Sequence, residues 1–237
     1  MSNLAEISQL TEMSVQLPVD WYLDSKIKKK KKHILFDQGP GYVGHELMVP
    51  TVGDYYVPEG MNNAKVLVRN ENGIELLSNI CRHRQALLLK GRSNTKNIVC
   101  PIHRWTYALD GKLLGAPHFT QNPCLNLDKT PLQNWNGLLF NGRRKVVQDM
   151  AKLSVLKDFD FSNYMLDRIQ VDQYRCNWKT FVEVYLEDYH VEPYHPGLSR
   201  FVNTDKLEWE FGDWYSVQTV AIDNTRFQRP GSSVYAK

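Results

Sequence analysis

The sequence lacks several features that define whole classes of protein. Only four of its 237 residues are cysteine, no internal repeat is present, and no apolar run approaches the roughly 18 residues of a membrane-spanning helix. Residues 1–18, MSNLAEISQLTEMSVQLP, contain no basic head followed by an apolar stretch, so they do not resemble a secretory signal. We therefore expect a cytoplasmic protein without a membrane span, in which thiols or metal ligands are favoured over disulfides.

An excess of charge of one sign is also absent, with one local exception. The net charge of +3 is too small to indicate binding to nucleic acid, and the 42% apolar and 23% charged residues are typical of a soluble globular protein. The exception is KIKKKKKH, residues 26–33, which has six lysines in its first seven positions. A like-charge run normally lies in water on a helix or loop. The alternative is a docking patch for an acidic electron-transfer partner.

The middle of the chain has the pattern of a small antiparallel β domain. Between residues 44 and 148, short runs rich in β-forming residues, such as AKVLVRN and KNIVCPI, are separated by turn dipeptides. Three of these dipeptides favour tight hairpins: Asn72-Gly73, Asp110-Gly111 and Asn136-Gly137.

The pattern changes beyond this region. Residues 164–176, YMLDRIQVDQYRC, alternate between apolar and polar and predict one more strand. From Asn177 onward, apolar residues recur at spacings of three and four and predict an amphipathic helix: Trp178, Phe181, Val182, Tyr185, Leu186 and Tyr189. Residues 208–221 return to strand character.

Two cysteine-histidine pairs dominate the β region: Cys81-x-His83 and Cys100-x-x-His103. Three interpretations compete for them. They could be ordinary core or loop residues, although two pairs with such short spacings argue against this interpretation. They could hold structural zinc, for which two thiolates and two imidazoles are suitable ligands, but zinc fingers usually place both cysteines on one knuckle. The third is a Rieske [2Fe-2S] centre, in which two cysteines hold one iron and two histidines hold the other.

The Rieske interpretation explains why each loop carries one residue of each type, because each loop then reaches both irons. The two remaining cysteines are expected to be buried small apolar residues: Cys124 and Cys176.

The loop sequences CRHR and CPIHRWTY resemble the Rieske domain of the large (alpha) subunits of ring-hydroxylating non-haem iron oxygenases. Pro101, Trp105 and Tyr107 match the second loop of that family. Respiratory-chain Rieske proteins carry an extra cysteine in each loop, and this sequence has none. Gln85 and Arg104 stand where many members have glycine. We expect these two departures to alter loop geometry without loss of the cluster.

A second motif lies in NWKTFVEVYLEDYHVEPYHPGL, residues 177–198. His190 and His195 are five positions apart, which on an unbroken helix separates them by about 140°. Pro193 is expected to end or kink the helix near Val191 to Glu192, so that His195 can turn back toward His190. The alternative for this segment alone is two surface histidines at a helix end.

The same segment resembles the mononuclear-iron motif of the oxygenase family, here Glu187-x-x-His190-x4-His195. The resemblance implies that the two histidines bind iron together with a distant aspartate, as a 2-His-1-carboxylate triad. It also implies that Glu187 bridges His190 to His103 of a neighbouring subunit in a homotrimer, with Asp188 as a less favoured candidate. The third carboxylate ligand is not present in the chain, because its position in the family lies more than a hundred residues beyond His195. None of the three aspartates that follow His195 is assigned to this role: Asp205, Asp213 and Asp223.

The resemblance implies an α+β protein in which an antiparallel all-β Rieske domain is inserted into a partial helix-grip catalytic domain. The expected domains are an N-terminal helical segment (1–43) that packs on the catalytic domain, the Rieske domain (44–148) and a partial catalytic domain (149–237). The chain is expected to be truncated before the C-terminal half of that catalytic domain.

The implied function is that of an oxygenase terminal component. Electrons from a ferredoxin or flavin reductase pass from the [2Fe-2S] cluster to a mononuclear Fe(II), which activates O₂ to hydroxylate or demethylate a small organic substrate. An aromatic acid and a quaternary amine are both plausible substrates, and aromatic ring hydroxylation is among the expected reactions. Two alternatives remain open: an electron-carrier or cluster-binding fragment without a complete oxygenase site, and a zinc-stapled structural domain.

Overall fold

The computed structural model describes residues 18–37, 39–199 and 202–222. Thirteen strands lie in these ranges: β1 Gly41–His45, β2 Asp54–Tyr56, β3 Lys65–Asn70, β4 Gly73–Ser78, β5 Arg92–Asn94, β6 Ile98–Val99, β7 Thr106–Tyr107, β8 Leu113–Gly115, β9 Lys129–Thr130, β10 Leu132–Trp135, β11 Leu138–Asn141, β12 Val202–Phe211 and β13 Ser216–Ile222. The α-helices are α1 Asp20–Leu23, α2 Ser25–Lys31, α3 Val146–Asp149, α4 Trp178–Tyr185 and α5 Val191–Tyr194. A π-helical turn, Lys32–Asp37, continues α2, and three 3-10 turns complete the elements: Glu46–Met48, Glu59–Met61 and Leu156–Asp158.

The strands pair only in the antiparallel sense within the described ranges. They form a five-stranded sheet in the order β5-β2-β3-β4-β9, two three-stranded sheets in the orders β1-β11-β10 and β6-β7-β8, and a two-stranded hairpin of β12 and β13. The first three sheets all come from residues 41–141, where the sequence predicts a small antiparallel domain. With the helices confined to the flanking residues, the architecture is the α+β arrangement that the resemblance implies.

Tight turns connect these strands at or next to the predicted dipeptides, and the first is centred on Glu71 and Asn72, one residue before the predicted Asn72-Gly73, because Asn70 pairs with Gly73. Trp135 pairs with Leu138, so Asn136 and Gly137 form a two-residue hairpin turn between β10 and β11. Their φ angles are 51° and 86°, as a type I′ turn requires at both central positions. The predicted turn between β7 and β8 likewise places Gly111 at a φ of 86°.

Strand β3 is the centre of the core. Its residues alternate between two clusters: Val66 and Val68 pack in the first, with both loop cysteines, and Leu67 packs in the second. All three side chains are fully buried, because successive residues of a strand point to opposite faces and both faces of this one are covered. Each such side chain stabilises the fold by about 1.5–3 kcal/mol.

A third, smaller cluster joins the β domain to the C-terminal hairpin. Trp135, Val146 and Leu153 are buried there, and partly buried side chains from the following residues pack against them, among them Phe159 and Val217. The ring centroids of Trp135 and Phe159 are 5.3 Å apart. This contact holds the segment around Phe159 against the end of β10.

The N-terminal helices lie against α4. The hydroxyl of Tyr22 donates a hydrogen bond to Glu183, and the ring centroids of Phe36 and Trp178 are 5.5 Å apart, edge to face. The Lys179 ammonium lies 5.3 Å from the centroid of the Tyr22 ring. Helix α2 begins at a cap in which the Asp24 carboxylate accepts from two backbone N–H groups.

The lysines of α2 are concentrated in its last turn, where a positive charge interacts favourably with the helix dipole. Lys28, Lys29 and Lys30 are exposed, as expected of a solvated charge run. The α-helices are short, and α4, the longest, has eight residues. Within the described ranges, no helix is both long and apolar enough to cross a membrane.

Two local predictions are wrong. Residues 164–176 form no strand. Met165 is 92% exposed and Tyr174 67% exposed, and alternation alone does not form a strand without a neighbouring strand to bond. Cys124 and Cys176 are exposed rather than buried. They lie in irregular segments outside the core clusters, so the general preference of cysteine for the interior does not apply.

Candidate functional site

The two cysteine-histidine loops share one backbone frame. In each, the cysteine N–H donates to the carbonyl five residues later, 2.8 Å for Cys81 to Ala86 and 2.8 Å for Cys100 to Trp105. The N–H four residues after each cysteine donates back to the cysteine carbonyl, 3.0 Å from Gln85 and 3.1 Å from Arg104. The loops are therefore tight turns of equal size that begin at their cysteines, and the histidine follows one position later in the second loop than in the first.

The shared frame explains why glycine would suit two positions of these loops. Gln85 has a φ of 56° and Arg104 a φ of 61°, both in the left-handed region that glycine enters without steric cost. The loop hydrogen bonds form with larger residues at these positions, and the expected effect of the two departures on loop geometry stays a prediction.

The four predicted cluster ligands lie together at the tips of these loops. Cys81 and Cys100 are each 1% exposed and belong to the same buried cluster. The His83 and His103 rings are 4.7 Å apart between centroids. His83 is half-buried and His103 is exposed, so one imidazole edge faces solvent.

Aromatic packing orients His83. Its ring stacks on Trp105 at 4.8 Å with an interplanar angle of 4°. Phe119, which the sequence analysis did not identify, contacts both rings edge to face, at 5.9 Å from His83 and 5.2 Å from Trp105. Burial and the positive charges of His103 and Arg84 lower the pKa of His83, so the neutral imidazole, the form that binds metals, is favoured at neutral pH.

The loop donors fit a two-iron cluster. The buried Nδ1 atom of His83 has no hydrogen-bond partner, as expected of a nitrogen that binds a metal. A Rieske cluster takes two protein ligands per iron, which matches a pair of buried thiols beside a pair of imidazoles.

Tyr107 adds a polar contact at the sulfur side. Its hydroxyl oxygen lies 3.4 Å from Cys81 Sγ and accepts a 3.1 Å hydrogen bond from the Arg82 N–H. Because the oxygen accepts from Arg82, its own proton is available to Sγ. Burial and the contact with Cys81 raise the pKa of Tyr107, so the hydroxyl stays protonated.

The second motif forms a separate site after α4. This helix is capped by Asn177, whose side chain accepts from the Lys179 N–H, and it ends at Tyr185. The predicted continuation toward Val191 and Glu192 is therefore wrong. Pro193 does not end α4; it lies in the first turn of α5, where its missing N–H has no partner to lose.

The break between the two helices brings His190 and His195 together. His190 precedes α5 and His195 follows it, and their ring centroids are 5.2 Å apart at an interplanar angle of 79°. The two residues meet as predicted, although through a short second helix and not through a kinked single one.

Glu187 holds His190 by two contacts. Its Oε1 lies 2.5 Å from His190 Nδ1, and its Oε2 accepts a 3.3 Å hydrogen bond from the His190 backbone N–H. Partial burial raises the pKa of Glu187, but the hydrogen bonds from His190 outweigh this effect and the pKa lies below its usual value. A carboxylate on Nδ1 fixes the ring and leaves Nε2 for a metal. The proposed contact of Glu187 with His103 of another subunit stays a prediction.

A cavity of about 480 Å³ adjoins both histidines. Its wall comes from α4, the loop around α5 and the hairpin of β12 and β13: Phe181, Val184, Tyr185, Glu187, Asp188, His190, Val191, His195, Leu198, Val202, Leu207, Gln218 and Val220. The C-terminal hairpin is a part of this site that the sequence analysis did not identify, and Asp188 was considered only as a less favoured bridging carboxylate. The hairpin begins at Val202, seven residues after His195, and its strand pattern leaves no signal of which cavity it lines.

Both regions of the chain match known families. The model of the Rieske [2Fe-2S] domain matches residues 42–135, and that of the ring hydroxylating alpha subunit (catalytic domain) matches residues 154–235. Together these domains imply a [2Fe-2S] cluster and a mononuclear iron.

Named relatives agree with this assignment. Putrescine 2-hydroxylase of Ralstonia nicotianae is 57% identical over 237 residues, which is 100% of this chain and 65% of that protein. Putrescine 2-hydroxylase of Bordetella bronchiseptica is 46% identical over 250 residues, covering 99% of this chain and 58% of that protein. A crystal structure of a quaternary ammonium Rieske monooxygenase has the same fold, with a TM-score of 0.73 at 23% identity over 88% of this chain and 62% of that one. The chain thus spans less than two thirds of each of these relatives, and over that span it belongs to the alpha-subunit family of Rieske ring-hydroxylating oxygenases.

Proposed function

We propose that this chain forms the electron-transfer and iron-binding part of an oxygenase that hydroxylates a small aliphatic amine. One observation carries the oxygenase assignment over the electron-carrier alternative. His190 and His195 lie side by side on a cavity of about 480 Å³, and the first is oriented by Glu187. A pure electron carrier has no use for a second metal site on a cavity of substrate size.

The cluster ligands in this proposal are Cys81 and Cys100 on one iron and His83 and His103 on the other. The buried thiols and the unpartnered His83 Nδ1 support these roles. When bound, the cluster supplies single electrons and the mononuclear iron activates O₂.

The remaining residues bind and position the mononuclear iron and shield the substrate from water. His190 and His195 bind the mononuclear iron, and Glu187 holds His190 in the tautomer that leaves Nε2 free. Apolar side chains of the cavity, such as Val184 and Val220, exclude water from the bound substrate. The third carboxylate ligand is assigned to no residue of this chain.

The electron donor is a ferredoxin or a flavin reductase, and the assembly is a homotrimer. The exposed edge of His103 supports both expectations, since it is where a donor or the Glu187 of a second copy would reach the cluster ligands.

An amine is favoured over an aromatic acid as substrate. The relatives at 57% and 46% identity are named for putrescine, a four-carbon diamine, and the solved structure is named for quaternary ammonium compounds. The two carboxylates in the cavity wall, Glu187 and Asp188, also repel an anionic substrate.

The test is turnover by the reconstituted oxygenase of which this chain forms a part. The protein is loaded anaerobically with ferrous iron and sulfide, reduced through a ferredoxin and its reductase, and exposed to O₂ with putrescine, carnitine or benzoate. We expect about three irons per chain, two in the cluster and one mononuclear, and a monohydroxylated product from putrescine in mass spectra. Two irons per chain and no product with any substrate would support the electron carrier. Three irons, reduction by the donor and no amine product would overturn the amine hydroxylase.

A further inference from the structure

The cavity beside the two histidines contains a carboxylate that the proposed iron chemistry does not use. Glu187 is engaged by His190, but the neighbouring Asp188 side chain also lines the cavity and has no hydrogen bond or ion pair within the described residues. Its backbone is fixed, because the Val191 N–H donates a 2.9 Å hydrogen bond to the Asp188 carbonyl and closes the turn before α5.

The surroundings of Asp188 favour a cationic ligand. Among the described residues that line the cavity there is no lysine or arginine, and most of the wall is aliphatic or aromatic. A half-buried carboxylate without a partner is costly in such surroundings. A substrate that brings a positive charge removes this cost and gains a charge-assisted hydrogen bond.

We propose that Asp188 is a specificity-determining residue whose carboxylate accepts hydrogen bonds from an ammonium group of the amine substrate. This proposal rests on the function proposed above and names the group that would select a cationic substrate. Asp188 lines the same cavity as His190 and His195, so a ligand bound to its carboxylate would lie in the space that the two histidines also border.

The decisive variant is Asp188→Asn, which keeps the size of the side chain and removes its charge. We expect the KM for putrescine to rise about tenfold or more, as for loss of a hydrogen bond to a charged group, while kcat changes much less. Equilibrium binding of putrescine to the loaded protein, measured by calorimetry without turnover, should weaken by the same factor. Asp188→Glu should recover part of the affinity.

A matched control removes the same charge outside the cavity. Glu192 lies in α5, is exposed and does not line the cavity. Glu192→Gln should leave KM and binding within about twofold, as expected for a surface change. A second control uses the ligand: 1,4-butanediol has the carbon chain of putrescine without its charges, and its binding should be the same in the Asp188→Asn variant and the unsubstituted protein.

The possible outcomes separate the two proposals. If the unsubstituted protein hydroxylates putrescine and Asp188→Asn binds and converts it equally well, this inference is wrong and the proposed function stands. If Asp188→Asn instead loses subunit assembly with unchanged putrescine binding, Asp188 is an interface residue and the inference is also wrong. If the unsubstituted protein neither binds nor converts any amine, the proposed amine function fails and this inference fails with it.

Should Asp188→Asn not fold, binding of putrescine is compared with binding of 1,4-butanediol in the unsubstituted protein and in Asp188→Glu. A preference for putrescine in both proteins supports the inference, and equal binding of the two ligands overturns it.

Discussion

The loops that carry the cysteine-histidine pairs and the segment that carries His190 and His195 are held by different forces. The loops are anchored in a core, with Cys81 and Cys100 packed against fully buried strand residues. Around the second pair the apolar side chains are largely exposed: Tyr189 is 87% exposed, and Val191 is the only buried residue among 160–199. Helix caps, the turn at Asp188 and the Glu187–His190 pair hold this segment instead.

This difference indicates how each site responds to change. A buried loop keeps its geometry through packing and tolerates the loss of a single polar contact. A segment held by a few polar contacts depends on each of them. Four predictions test this contrast, beginning with the largest expected effect.

Loss of one buried thiol should abolish the cluster. We expect Cys81→Ala to lack the visible chromophore and the electron paramagnetic resonance signal of the reduced protein, because an iron that keeps only one thiolate is not held. Cys124→Ala is the matched control, since that cysteine is exposed and lies outside the loops. A Cys81→Ala protein with full colour would refute the ligand assignment.

The same leucine truncation should have very different costs in the two regions. Leu76 is 0% exposed in the second core cluster, whereas Leu186 is 50% exposed just after α4. We expect Leu76→Ala to lower the free energy of unfolding by about 2–5 kcal/mol and Leu186→Ala by less than about 1 kcal/mol. Chemical denaturation of both variants measures the difference, and equal costs would show that the contrast in packing is wrong.

Removal of the Glu187 carboxylate should uncouple the two metal sites without emptying them. We expect Glu187→Ala to retain both metals and lose substrate oxidation by about 10–100-fold, the usual effect of removing a group that orients a metal ligand. Glu187→Asp, which keeps a carboxylate, should retain more of the rate. Iron content is measured in parallel. If Glu187→Ala oxidised the substrate at the rate of the unsubstituted protein, Glu187 would not couple the two metal sites.

The smallest expected effect concerns the left-handed residue of the second loop. Arg104→Gly removes the steric cost of a φ of 61°, and part of this gain is lost because glycine loses more conformational freedom on folding. We therefore expect the free energy of unfolding to rise by about 0.5–1 kcal/mol. Arg84→Gly, the same exchange at a residue whose φ is not positive, should lower it instead. If both variants changed the free energy of unfolding in the same direction, the positive φ at residue 104 would not be the cause of the effect.

The sequence predicted what is local and missed what is distant. The shared turn of each cysteine-histidine loop, the Asn136-Gly137 turn and the meeting of His190 with His195 all depend on residues within a few positions of one another. Residues 164–176 were mispredicted because their alternation is local, whereas a strand needs a bonding neighbour that the pattern does not reveal. Phe119 and the hairpin of β12 and β13 reach their sites through tertiary packing, for which no spacing in the sequence is a guide.

The contact between Tyr22 and Glu183 has a consequence for how the protein is made. The two residues are 161 positions apart. At a synthesis rate of roughly 5–20 residues per second, the first of them leaves the ribosome about 8–30 seconds before the second. During that interval the β domain can form from its own contiguous strands, while the lysine-rich helices must wait for their docking partner. Nascent chains arrested before Glu183 should therefore expose those helices to protease while the sheets between them and the arrest point are already resistant.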